Sequence, residues 1–116
     1  MVPARGVRIA RRKEGREMIL TVFRSRLKPG IEAEIEPVGA RMYELATSMP
    51  GFVSYREYQS ADGESVAIVE FESKETLAAW RNHPEHLAAQ EKGRSRWFAE
   101  YRIQVCEAVR DYSFKA

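Results

Sequence analysis

The chain has 116 residues, of which 44% are hydrophobic and 31% charged, and it contains one cysteine. That length makes one ordinary domain and excludes two; a lone cysteine excludes an internal disulfide, and no apolar run approaches the ~20 residues that cross a bilayer. The net charge of +2 is uneven: residues 1–17 hold six basic and two acidic residues, which leaves thirteen basic and fifteen acidic in the remainder and excludes a basic nucleic-acid face there.

Residues 1–17 form a basic leader without the apolar core of a secretory signal. Lys13-Glu14-Gly15 can be encoded AAG-GAG-GG, a bacterial ribosome-binding sequence, and Met18 follows at a suitable spacing. The expectation is a native start at Met18 and a domain over 18–116. With Cys106 free, a reducing, cytoplasmic setting is expected.

"MILTVFRSRL" (18–27) is rich in β-branched and aromatic residues and ends at the turn Lys28-Pro29-Gly30, so it predicts a strand. Ile19, Thr21, Phe23 and Leu27 share one face; Leu20, Val22, Arg24 and Arg26 share the other. Arg24 and Arg26 are expected to pair with Glu70 and Glu72 across the sheet. Over 31–49 the period changes. Ile31, Ile35, Val38, Met42, Leu45 and Met49 make one stripe of an amphipathic helix, with Pro37 as its awkward residue. "GFVSYREYQ" (51–59) and "SVAIVEFE" (65–72) flank an Asp62-Gly63 turn and predict an antiparallel hairpin. Ser73 is placed to cap a short helix carrying Leu77 and Trp80. His83-Pro84 breaks it, and Pro84 suits the first position of a further helical segment, 84–98. "AEYRIQVCEAVRDYSF" (99–114) alternates and predicts a long last strand.

The order is β-α-β-β-α-β, an α+β, ferredoxin-like plan with a four-stranded antiparallel sheet and helices on one face. Apolar side chains fall on both faces of the strands. Phe52, Tyr58, Val69 and Phe71 are read on one side, Val53, Tyr55, Val66 and Ile68 on the other. An apolar face without helices wants a partner, and so does a last strand longer than its neighbours. Both point to a homodimer.

"MILTVFRSRLKPG", "MPGFVSYREYQSADGE", "WRNHPEHLAAQEKGRSRWF" and "YRIQVCEAVRDYSF" resemble the antibiotic biosynthesis monooxygenase (ABM) family over about residues 18–114. The resemblance implies a dimeric α/β barrel. It also implies a cofactor-independent monooxygenase acting on small aromatic substrates, quinols or anthrones, with O2. No metal or flavin is then required, because a phenol that loses its proton becomes a good electron donor to O2. Members similar to the anthrone oxygenases carry Asn-x-x-x-Trp on this helix and a Tyr six residues after the Trp. Here Trp80 matches, Thr76 stands at the Asn position and His86 at the Tyr position. Trp80 and His86 are therefore the expected catalytic pair, His86 supplying an imidazole that titrates in a useful range. Thr76, His83, Phe23 and Tyr58 are the expected substrate contacts. His83, before a proline, has a second reading as the cap of the following helix. Haem binding or degradation through His83 or His86, and a non-catalytic dimer that binds a small ligand, are the alternatives. The two histidines straddle Pro84 and lack partners, so no metal site is expected.

Overall fold

The computed structural model describes residues 18–116; the basic leader, and with it the expectation about the native start, lies outside the described residues. Strand β1 (Ile19–Leu27) runs into helix α1 (Glu32–Ser48) through Gly30, which takes φ +78°. The hairpin β2 (Phe52–Gln59) and β3 (Ser65–Phe71) turns at Gly63, φ +91°, and Gly63 N–H donates to the Ser60 carbonyl at 3.0 Å. Helices α2 (Lys74–Arg81) and α3 (Pro84–Lys92) follow, then a π turn, Gly93–Trp97, and strand β4 (Phe98–Glu107). The sheet order is β2-β3-β1-β4 and every pairing is antiparallel, the ferredoxin-like plan expected.

The core lies between the sheet and the helices. Ile19, Val69 and Phe71 meet Leu45, Ala46, Leu77 and Trp80 there. Phe71 and Ile19 are the most completely buried large side chains, each contributing roughly 1.5–3 kcal/mol by leaving water. Helix α2 starts where Ser73 and Thr76 cap each other: Ser73 Oγ accepts from Thr76 N–H and Thr76 Oγ1 accepts from Ser73 N–H, both at 3.1 Å. Such a box stabilises a helix start by about 1 kcal/mol. Pro37 lies inside α1, and the apolar stripe there is only half-used. Leu45 and Ala46 are buried, whereas Ile35, Val38 and Met42 remain half-buried.

Three expectations are corrected. A β-bulge at Val53 shifts the phase of β2, so Tyr55 faces Val69 under the helices while Tyr58 faces Val66 on the open side. The assigned faces of Tyr55 and Tyr58 are thus exchanged. Arg24 bonds Glu64 (3.1 and 3.2 Å), and Arg26 bonds Asp62 (2.6 Å) and Glu100 (3.2 Å). The antiparallel register explains this. Arg24 sits opposite Val66 at the hairpin end, whereas Glu70 sits opposite Leu20 at the far end. The last strand covers 98–107, not 99–114. β1 begins at Ile19, opposite Glu107, and among the described residues no partner strand continues after the Ala108 N–H to Met18 carbonyl bond (2.8 Å).

Candidate functional site

Where α1 is half-buried, the space beneath it is a cavity of about 970 Å³. The helix-facing side of β1 supplies its floor through Thr21, Phe23, Ser25 and Leu27. Ile35, Val38 and Met42 of α1 form one wall; Tyr55, Trp80 and His86 form another; Trp97, Phe98, Tyr101 and Ile103 close the end near β4. The lining is mostly apolar and aromatic with a few polar groups, the composition of a small-molecule site.

Trp80 is the centre of the aromatic wall. Its ring stacks on Phe71 (centroids 5.6 Å apart, planes at 26°) and meets the edge of Tyr55 at 6.3 Å. It is buried, and its Nε1–H has no hydrogen-bond partner. His86 comes from the next helix. Asn82 ends α2, His83 is extended (φ −60°, ψ 136°), and Pro84 starts α3 in a new direction. That break lays His86 against Trp80, with ring centroids 4.4 Å apart. Helix α3 is braced to α1 by a two-pronged ion pair in which the Arg41 guanidinium donates to both oxygens of Glu85, at 2.7 and 2.8 Å.

Gln90, one turn beyond His86, orders the imidazole. Gln90 Nε2 lies 2.6 Å from His86 Nδ1 and 3.1 Å from the Arg81 carbonyl oxygen. With the amide nitrogen there, one N–H goes to each acceptor and the ring proton sits on Nε2. With the amide turned over, Nδ1–H donates and Nε2 is a free base. Burial pushes the His86 pKa below its ordinary value; the Arg81 carbonyl opposes this, and the Arg81 and His83 charges add to it. The ring is therefore neutral near pH 7. Burial also pushes the Tyr55 phenol above its ordinary value, and the carboxylate of Glu57 adds to the rise.

Of the expected site residues, Trp80, His86 and Phe23 come together on this cavity. Thr76, His83 and Tyr58 do not line it. Thr76 is used in the α2 cap. His83 caps α3, its Nδ1 accepting from Glu85 N–H at 3.2 Å. Tyr58 is 52% exposed on the open face of the sheet. Thr21, Tyr55 and Gln90 were missed. Tyr55 was hidden by the bulge; Gln90 carried a signal, since it stands four residues after His86, where helix side chains meet. Among the described residues no group of three or more His, Cys, Asp or Glu side chains is arranged to hold a metal. No described helix is long and apolar enough to cross a membrane.

A ferredoxin-like sheet with one aromatic-lined cavity under its helices defines a class of small α+β proteins. Residues 18–92 match the antibiotic biosynthesis monooxygenase family, and the chain belongs to that family. Protein YqjZ of Bacillus subtilis (strain 168), itself uncharacterised, is 37% identical over 75 residues; the match takes in 65% of this chain and 66% of that protein, just under two thirds of its length. Among solved structures, Rv0793 from Mycobacterium tuberculosis superposes with TM-score 0.69 at 21% identity, over 77% of this chain and 92% of that one. SnoaB from Streptomyces nogalater, described as a cofactor-independent oxygenase, superposes with TM-score 0.68 at 22% identity, over 80% and 94%. At these identities the superpositions speak for the fold.

Proposed function

We propose that this protein is a cofactor-independent monooxygenase of small aromatic substrates of the quinol or anthrone type. The carrying observation is the Trp80–His86 pair, 4.4 Å apart in the wall of a mostly apolar cavity, with Trp80 Nε1–H unpartnered. His86 acts from the tautomer with Nε2 free, in which the Gln90 amide is turned over, gives up its bond to the Arg81 carbonyl, and accepts from Nδ1–H through its oxygen. It removes the substrate's phenolic or enolic proton, and Trp80 Nε1–H steadies the resulting oxyanion. The apolar walls keep water from the anion, which raises its tendency to give electrons to O2. The overall change balances for an anthrone: one O2 converts a ring CH2 to C=O, and the second oxygen leaves as water with both hydrogens. The working unit is a homodimer closed over the open sheet face. SnoaB supports the reading, as a cofactor-independent oxygenase on the same fold.

The test is O2 uptake with a panel of anthrones and hydroquinones, using wild type, Trp80→Phe and His86→Leu. Uptake that depends on wild type and falls in both variants is expected. A panel with no protein-dependent uptake refutes the oxygenase reading.

A further inference from the structure

Two buried side-chain polar atoms among the described residues have no hydrogen-bond partner. They are Trp80 Nε1 and Thr21 Oγ1, and both residues line the same cavity. Trp80 is 5% exposed and Thr21 7%. Buried hydroxyls and indole N–H groups normally find partners, so each orphan needs an explanation. Two orphans on residues that line one cavity share one: a ligand that carries oxygen.

Thr21 sits in the middle of the sheet. Its cross-strand neighbours are Val69 on β3 and Val105 on β4, and nothing in that row engages the hydroxyl. A valine would fill the same shape without an unsatisfied group. Trp80 approaches from α2 and stacks on Phe71, which pairs with Ile19, two residues from Thr21 on the same face of β1. The two groups differ in chemistry. The indole N–H only donates, so it suits a carbonyl or an oxyanion. The hydroxyl donates and accepts, so it suits a phenol or a carbonyl, and rotation about χ1 exchanges its place with the methyl.

We propose that Thr21 is a specificity-determining residue that hydrogen-bonds a second oxygen of the aromatic substrate, while the first oxygen accepts from Trp80. This rests on the aromatic-substrate reading of the cavity and narrows it: the preferred substrates carry two oxygen functions on separate ring positions. A ring with a single oxygen satisfies Trp80 and leaves Thr21 orphaned. That discriminates against it, because a site built to bond a hydroxyl rejects the analogue lacking one.

Anaerobic calorimetric titration of the full chain tests this without turnover. The ligands are 1-naphthol and the isomeric dihydroxynaphthalenes. In wild type the best dihydroxy isomer is expected to bind about tenfold tighter than 1-naphthol, the effect of one well-made hydrogen bond. Thr21→Val and Thr21→Ala should both erase that preference and keep the 1-naphthol affinity. Thr21→Ser should retain the preference. Without ligand, Thr21→Val should melt higher than wild type, since it removes an unsatisfied hydroxyl at constant shape. A preference that survives in Thr21→Val and Thr21→Ala overturns the role of Thr21 and leaves the aromatic site standing. So does a wild type that binds 1-naphthol as tightly as every dihydroxy isomer. If wild type binds none of the ligands, this proposal and the aromatic-substrate reading fall together.

Discussion

Trp80 stands in the last turn of α2 and His86 in the first turn of α3, and their rings lie 4.4 Å apart across the break at His83-Pro84. The indole is fixed by Phe71 and Tyr55; the imidazole is fixed by Gln90. Trp80→Phe deletes the N–H donor and, with its smaller ring, part of the buried packing on Phe71 and Tyr55. Turnover should fall about 10²–10³-fold, the usual effect of losing one oxyanion donor, and the melting temperature should fall as well, because the smaller ring leaves a gap in the core. His86→Leu removes the base and should lower turnover by about 10²–10⁴-fold. Steady-state O2 consumption on purified variants measures both. A Trp80→Phe protein with full activity places the N–H outside the reaction.

The His86 ring titrates below its ordinary value of 6.5 in the folded protein because burial disfavours its charged form. Between the folded and unfolded values the unfolded chain holds more protons. Stability should therefore be complete above about pH 6.5 and decline as pH falls through 6.5 toward the folded value. Below the folded value this group adds no further loss. Turnover should decline over the lower part of the same range, as the ring becomes protonated. The carboxylates of Glu34 and Glu85, held below their ordinary value of 4.5 by Arg96 and Arg41, act only at lower pH. Thermal melts between pH 8 and pH 5 should show an acid-labile increment in wild type that His86→Leu lacks. Parallel profiles for the two proteins would contradict the assignment.

Gly93 opens the π turn, and its backbone (φ −57°, ψ −50°) suits any residue. Space alone requires glycine there: a Cβ would stand 2.7 Å from the Phe98 ring. Phe98 lines the cavity and packs on Phe23 at 5.4 Å. Gly93→Ala must push that ring aside. It should cost about 1–3 kcal/mol, as overpacked sites do, and should weaken ligand binding by deforming the wall. Urea denaturation reads the first effect and calorimetry the second. An alanine variant as stable as wild type would mean that the ring yields freely.

Much of the fold is legible because its signals are local. The Ser73 cap, the Pro84 restart and the Asp62-Gly63 turn each act within four residues, and each appears where the pattern puts it. The bulge at Val53 is not legible. Val53 and Tyr55 are apolar or aromatic, as are Phe52 and Tyr58, so alternation carries no mark of a change of phase, and Tyr55 and Tyr58 were read onto each other's faces. The end of β4 is set by where β1 begins, which the residues of β4 do not encode. Within the candidate site, Trp80 and His86 are marked out by the resemblance to the family, Trp80 by identity and His86 by its position six residues later. Thr21 is not, because threonine is an ordinary strand residue and only the three-dimensional absence of a partner makes it unusual.

Assembly gives the last prediction. Among the described residues strand β4 is a sheet edge. Tyr101, Ile103 and Val105 are 39%, 46% and 49% exposed, and beyond the strand Val109 is 90% exposed. Tyr58 lies exposed on the open face, where Leu20, Val22, Val66 and Ile68 are only half-buried. A lone chain would present a long unpaired edge and an apolar face to water, both of which invite association. A second copy buries the face and covers the edge at once. We expect a homodimer that buries an area near or above the top of the standard range, roughly 1,200–2,000 Å². Placing aspartate at Val105 and Val109 together puts charge into that contact. With a chain this small depending on the dimer for part of its core, the double variant should unfold instead of persisting as a monomer. Light scattering with circular dichroism decides it: a dimeric wild type and an unfolded Val105→Asp, Val109→Asp double variant are expected, and a well-folded wild-type monomer at micromolar concentration refutes the dimer.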